Sequence, residues 1–161
     1  MSPKPEYRMN ELELIRITED GQLEKTMSLG LPIADQVIEA TIQLYRTEGY
    51  EPPWIGYLAF ENGTCVGTCG FKSPPRLGKV EIAYFTFPGN ESRGVASRMA
   101  AELIRMSWAK SSTLVIAAQT LPEESASTSI LKKLKFRRAG TVSHPEDGLV
   151  WEWHLNPPAS V

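Results

Sequence analysis

Apolar residues fall into two rhythms along this chain. Over residues 11 to 17, ELELIRI, Leu12 and Leu14 alternate with glutamates, and the phase then changes so that Ile15 and Ile17 flank Arg16. A period of two predicts a strand, either bulged near Leu14 or covered on both faces at its end. From Pro32 to Thr47, Ile38, Ile42 and Tyr45 recur at helical spacing, and Gly49 ends the run, which predicts an amphipathic helix. WIGYLAF at 54–60 and TCVGTCGFK at 64–72 then enclose a turn at Glu61, Asn62 and Gly63. An Asn-Gly pair between apolar runs is a strong hairpin signal. Pro74-Pro75 closes that hairpin, KVEIAYFTF at 79–87 makes the next strand, and Pro88, Gly89 and Asn90 break it.

Val95, Met99, Leu103 and Met106 predict a helix from Gly94 to about Ala109. TLVIAAQT at 113–120 is nearly all apolar, as a strand covered on both faces should be. Pro122 to Leu134 reads as a helix, Phe136 to Val142 as a strand, Pro145 to Gly148 as a turn, and LVWEWHL at 149–155 as the last strand. The order is β-α-β-β-β-α-β-α-β-β. With no repeat and no dividing linker, it predicts one α/β domain over residues 1–161.

Composition narrows the classes. At 161 residues, 42% hydrophobic and 22% charged, the chain has the size of one domain that buries roughly 70% of its unfolded surface without staples or metals. The net charge of −2 and the scattered basic residues argue against nucleic acid. Lys132, Lys133, Lys135, Arg137 and Arg138 are interleaved with Leu131, Leu134 and Phe136, the pattern of a solvated helix face running into a strand. Cys65 and Cys69 lie four strand residues apart, about 13 Å, which is beyond disulfide reach. No histidine near them suggests zinc, so no metal is expected. The sequence has no apolar run of about 18 residues and no signal-like N-terminus, which predicts a cytoplasmic protein without membrane contact.

Chemistry concentrates in FTFPGNESRGVASRMAAELI, residues 85–104. Strand, sharp break, glycine and helix follow one another there. A helix N-terminus reached by an unobstructed loop presents unpaired N–H groups and the positive end of a dipole to an anion, each exposed contact contributing about 0.3–1 kcal/mol. The alternative is that Gly94 only permits a tight strand-to-helix connection. No Gly-Lys-Ser/Thr follows and the three glycines of a dinucleotide fingerprint are missing, which excludes those two phosphate motifs.

The surroundings carry a resemblance. Glu91-Ser92-Arg93-Gly94-Val95-Ala96 follows Phe87-Pro88 as Gln/Arg-x-x-Gly-x-Gly/Ala follows a strand in the GNAT acetyltransferases, with Glu91 departing from the first position. PEESASTSILKKLKF, beginning at Pro122, is similar to that family's P-E-N-x-A-S-x-x-x-L-x-K-L-G-F, with Glu124 for Asn and Lys135 for Gly. With VEIAYFTFP and VWEWHL, the resemblance runs from about Trp54 to Leu155. It lies nearest the subgroup of ribosomal-protein N-terminal acetyltransferases and related small-molecule enzymes.

The resemblance implies a GNAT acyl-CoA N-acyltransferase fold, a mixed, mostly antiparallel sheet of six to seven strands flanked by helices. It implies acetyl-CoA as cosubstrate and a primary amine of a small molecule or peptide N-terminus as acceptor. The amine attacks the thioester directly, through a tetrahedral intermediate. On this reading Glu91, Ser92, Arg93, Gly94, Val95, Ala96 and Ser97 hold the diphosphate, and the pantetheine arm lies beside Thr86, bonded to backbone groups of Phe85 and Phe87. Arg93 is the better placed arginine; Arg98 reads equally as a solvated helix residue. Ser125 and Ser127 either touch the arm or cap a helix.

Glu81, a carboxylate in an apolar strand, is the candidate base, or else a sheet-edge residue paired with Lys79 or solvent. The tyrosine that many family members use as an acid is replaced by Leu131, so Tyr84 is the candidate acid, against the reading of a buried strand aromatic. His144 and His154 read as structural. The acceptor pocket is expected between the 32–49 helix, the 51–54 segment and the 144–148 turn, with Trp54, Trp151 and Tyr50 as an aromatic wall or as core. A non-catalytic acyl-CoA sensor on the same fold is the alternative function, and the oligomeric state stays open, a homodimer included.

Overall fold

The computed structural model describes residues 11–27 and 29–158. Its strands are β1 (Leu12–Arg16), β2 (Gly56–Glu61), β3 (Thr64–Phe71), β4 (Lys79–Thr86), β5 (Val115–Thr120), β6 (Arg137–His144) and β7 (Gly148–Leu155). Its helices are α1 (Pro32–Glu48), α2 (Val95–Lys110) and α3 (Ala126–Lys133). The strands form one sheet in the order β1-β2-β3-β4-β5-β7-β6. The β4–β5 pair is parallel and the other pairs are antiparallel.

Two helices pack on opposite faces, and glycines mark where they come close. A Cβ on Gly56 would meet Thr41 of α1 at 2.8 Å, and one on Gly67 would meet the Met99 methyl of α2 at 3.1 Å. The Tyr45 hydroxyl ties α1 down by donating to the Ile17 carbonyl (2.8 Å) and accepting from the Gly56 N–H (2.9 Å). Leu58, Ile82, Met99, Leu103 and Ile116 are fully buried between the layers. Each contributes about 1.5–3 kcal/mol relative to exposure.

β1 pairs with β2 in unbroken register from Leu12↔Glu61 to Arg16↔Tyr57, so the bulge expected near Leu14 is not there. The phase change instead marks two covered faces: Ile15 and Ile17 are buried, whereas Leu12 and Leu14 line a groove with Met106 of α2. The bulge of this region lies in the next hairpin, between Ala59 and Phe60, where β3 carries one extra residue, Val66.

α3 is shorter than the expected Pro122 to Leu134. The Ser125 hydroxyl accepts from the Thr128 N–H (3.3 Å) and the Thr128 hydroxyl from the Ser125 N–H (2.9 Å), a reciprocal cap that starts the helix at Ala126. At its other end Phe136 N–H bonds the Leu131 carbonyl and Lys135 N–H the Lys132 carbonyl, the paired bonds of a Schellman motif. Lys135 takes the left-handed position of that motif with φ +75°. Phe136 therefore belongs to the helix stop, and β6 begins one residue later.

Candidate active site

β4 and β5 pair only from Lys79↔Val115 to Glu81↔Ala117 and then diverge, although β4 continues to Thr86 and β5 to Thr120. Main-chain direction along β4 alternates. Glu81 accepts from the Lys72 N–H (3.0 Å) and Phe87 donates to Val66 (2.9 Å), so odd-numbered residues turn their polar groups to β3. The N–H and C=O groups of Tyr84 and Thr86 therefore face the gap that β5 has vacated. The backbone groups of Phe85 and Phe87, expected to bond the pantetheine arm, thus turn to β3 instead, and Phe87, 2% exposed, gives its N–H to Val66. The extra residue at the β3 bulge presents that carbonyl.

The gap opens towards the start of α2. Gly94 is its N-cap, with φ +75° and ψ 14°, and no side chain caps the helix. The Arg98 N–H is the first to return to Gly94, so the amides before it point out of the helix end. A Cβ at Gly94 would have nothing within 4 Å, so the backbone angle, not crowding, calls for glycine there. A cavity of about 580 Å3 joins this turn to the gap, lined among others by Tyr84, Thr86, Ser92, Gly94, Ser97 and Ser127. Glu91, Val95, Ala96 and Phe85 also border it, and its described lining contains no lysine or arginine.

Arg93 is placed elsewhere. Its guanidinium donates to Glu61 Oε1 (2.6 Å) and to Asn90 Oδ1 (2.8 Å), while Arg98 donates to Glu61 Oε2 (2.6 Å). Glu61, at the end of β2, is 5% exposed, and the Arg98 hydrogen bond outweighs burial in holding its carboxyl below the usual 4.5. The Glu91 carboxylate folds back onto the Gly89 N–H (2.9 Å). In the sequence Glu61 reads as a turn residue, since nothing local signals a partner some thirty positions away.

Glu81 sits at the fork of the sheet with its side chain 24% exposed. Lys72 Nζ lies 3.4 Å from its Oε2, and that oxygen is buried with no hydrogen bond among the described residues. The partner is thus Lys72 and not Lys79, which pairs with Glu152 (3.1 Å). Glu81 lines a pocket of about 100 Å3 with Tyr84, Gln119 and Ser127. Tyr84 also borders the larger cavity, and burial pushes its hydroxyl up to about 12. Leu131, at the position of the family's tyrosine, is wholly buried.

A second cavity of about 580 Å3 shares Tyr84, Phe85 and Ser127 with the first and adds Gln119, Thr120, Ser125, His144 and Asp147. His144 Nδ1 accepts the N–H groups of Glu146 (3.1 Å) and Asp147 (3.2 Å), closing the β6–β7 turn. His154 Nε2 bonds Glu152 (2.7 Å). The expected aromatic wall does not assemble: Trp54 packs edge-on against Phe71 in the core, Tyr50 against Tyr45, and Trp151 lies under Arg138.

A family profile described as an acetyltransferase (GNAT) domain matches residues 11–137. The chain belongs to the GNAT acetyltransferase family, which moves acetyl groups from a coenzyme A thioester to amines. Among solved structures, the apo form of RimL, a ribosomal alpha-N-protein acetyltransferase, superposes with a TM-score of 0.65 at 15% identity, covering 92% of this chain and 95% of that one. RimL in complex with coenzyme A gives 0.58 at 15% identity over 78% of this chain and 72% of that one. An N-acetyltransferase from Staphylococcus aureus Mu50 gives 0.58 at 20% identity over 76% of each. No curated protein sequence matches. Among the described residues, no helix is long and apolar enough to cross a membrane.

Proposed function

We propose that this chain acts as one domain that acetylates a primary amine, of a small molecule or a peptide N-terminus, at the expense of acetyl-CoA. The observation that carries the reading is the continuity of two vacancies in backbone pairing. The gap-facing groups of Tyr84 and Thr86 run directly into the uncapped amides behind Gly94. Acetyl-CoA, when bound, supplies an activated acyl group and a thiol leaving group of pKa about 8.5.

The backbone from Glu91 to Ser97 holds the diphosphate, with Gly94 letting the chain turn towards it. Phe85, Thr86 and Ser127 border the arm, whereas Ser125 serves as the α3 cap. The Tyr84 N–H, beyond the last β4–β5 rung, stabilises negative charge on the carbonyl oxygen, a contact of about 3–4 kcal/mol where measured in other enzymes. Glu81 takes the proton of the attacking amine, which is cationic at neutral pH with a pKa near 10.4. Its side chain lines the small pocket beside Tyr84, Gln119 and Ser127. The Tyr84 hydroxyl, kept protonated by burial, returns a proton to the leaving sulfur.

Purified protein should release free thiol from acetyl-CoA only when an acceptor amine is added. Absence of turnover over a broad panel of amines and peptides, with coenzyme A still bound, would refute the enzymatic reading. One observation favours a second reading, a non-catalytic acyl-CoA sensor: Leu131 fills with core the place where many relatives carry their acid.

A further inference from the structure

An arginine beside a phosphate site is ordinarily read as a phosphate ligand. Here two arginines flank the cradle and both turn from it to one buried carboxylate. Glu61 reaches them from β2, a strand otherwise remote from the loop. Arg93 uses Nη2 on Asn90, and Asn90 in turn donates to the Phe87 carbonyl (3.3 Å). Arg98 Nε reaches the Gly94 carbonyl (3.3 Å) and its Nη2 the Arg93 carbonyl (3.4 Å). One carboxylate thus fixes both sides of a turn whose Ser92 and Gly94 hold φ of +64° and +75°.

We propose that Glu61 is the positioning residue of the diphosphate cradle: through Arg93 and Arg98 it fixes the loop backbone so that its amides converge, and the arginines act as braces, not as phosphate ligands. The inference rests on the acyl-CoA reading of the cradle. The energetic logic is pre-organisation. A turn held in two left-handed conformations otherwise spends binding energy on ordering itself, and a carboxylate shared between two guanidiniums is a strong anchor because charge-assisted bonds are short and directional.

Two measurements on the full chain test it. Without ligand, amide exchange is followed at Gly89, Asn90 and Arg98 in wild type, Glu61→Gln and Arg93→Gln. We expect exchange at least tenfold faster in Glu61→Gln, less so in Arg93→Gln, with β5 and β7 amides unchanged; unaltered loop exchange in a folded variant overturns the proposal. With ligand, acetyl-CoA is titrated into wild type, both variants and the double variant. Each single change should raise Kd about tenfold, and the double change should add little. Multiplicative losses, or tighter binding by Glu61→Gln, overturn it, because Arg93 would then meet the phosphates itself. If wild type binds no acetyl-CoA, the cradle reading fails, and the exchange result still decides the brace.

Discussion

Glu81 and Ala117 form the last rung between β4 and β5, and the candidate base therefore stands at the fork where the sheet opens. A carboxylate at that point borders the small pocket that it shares with Tyr84, Gln119 and Ser127. Glu81→Gln keeps the shape and removes the basicity, so kcat should fall by a factor of about 10²–10⁴ while acetyl-CoA affinity stays unchanged. Steady-state kinetics beside calorimetry check this, and a kcat within threefold of wild type removes Glu81 from the reaction.

Leu131 occupies the family's tyrosine position and has no exposure. Restoring the aromatic should therefore not restore an acid. Leu131→Tyr is expected to overpack the α3 core, costing about 1–3 kcal/mol in urea unfolding, without raising kcat. A variant of wild-type stability and higher turnover would contradict the assignment of Tyr84.

Lys135 stands at φ +75°, where its family relatives carry glycine. A left-handed residue with a Cβ costs about 1–2 kcal/mol. Lys135→Gly should raise the unfolding free energy by about 1 kcal/mol, less the entropy that glycine adds to the unfolded chain.

The Glu61 carboxyl is held below 4.5 in the folded state. A depressed acid contributes stability that is complete above its unfolded value and is lost as pH falls through its folded value. The difference in thermal midpoint between wild type and Glu61→Gln should hence be full at pH 6–7 and shrink as pH falls below 4.5. A pH-independent difference would mean that the charge of Glu61 does not anchor the loop.

Most of this fold was legible in the chain because its signals are local. Period-two runs, Asn62-Gly63 and the helix registers of Val95–Met106 need only neighbours in sequence, and the strand-break-glycine-helix pattern marks the turn at Gly94, where no side chain caps α2. The rest depends on distant residues. The phase slip at Leu14 fits a bulge or two covered faces, and only tertiary packing selects the second, while the start of α3 is set by a Ser125–Thr128 exchange rather than by Pro122. Arg93 looked like a phosphate ligand because its neighbours face the cavity, yet β2 brings Glu61 to within 2.6 Å. That approach depends on the β1–β2–β3 register, and the spacing of charges along the sequence carries no trace of it.

Titration of acetyl-CoA into wild type and Gly94→Val tests the backbone cradle at the start of α2. Valine at φ +75° carries the strain of a β-branched left-handed residue in the turn that aims the amides. Wild type should bind, and a folded Gly94→Val variant should lose affinity by two orders of magnitude or more. Equal affinity in the two proteins would contradict a backbone cradle at this turn.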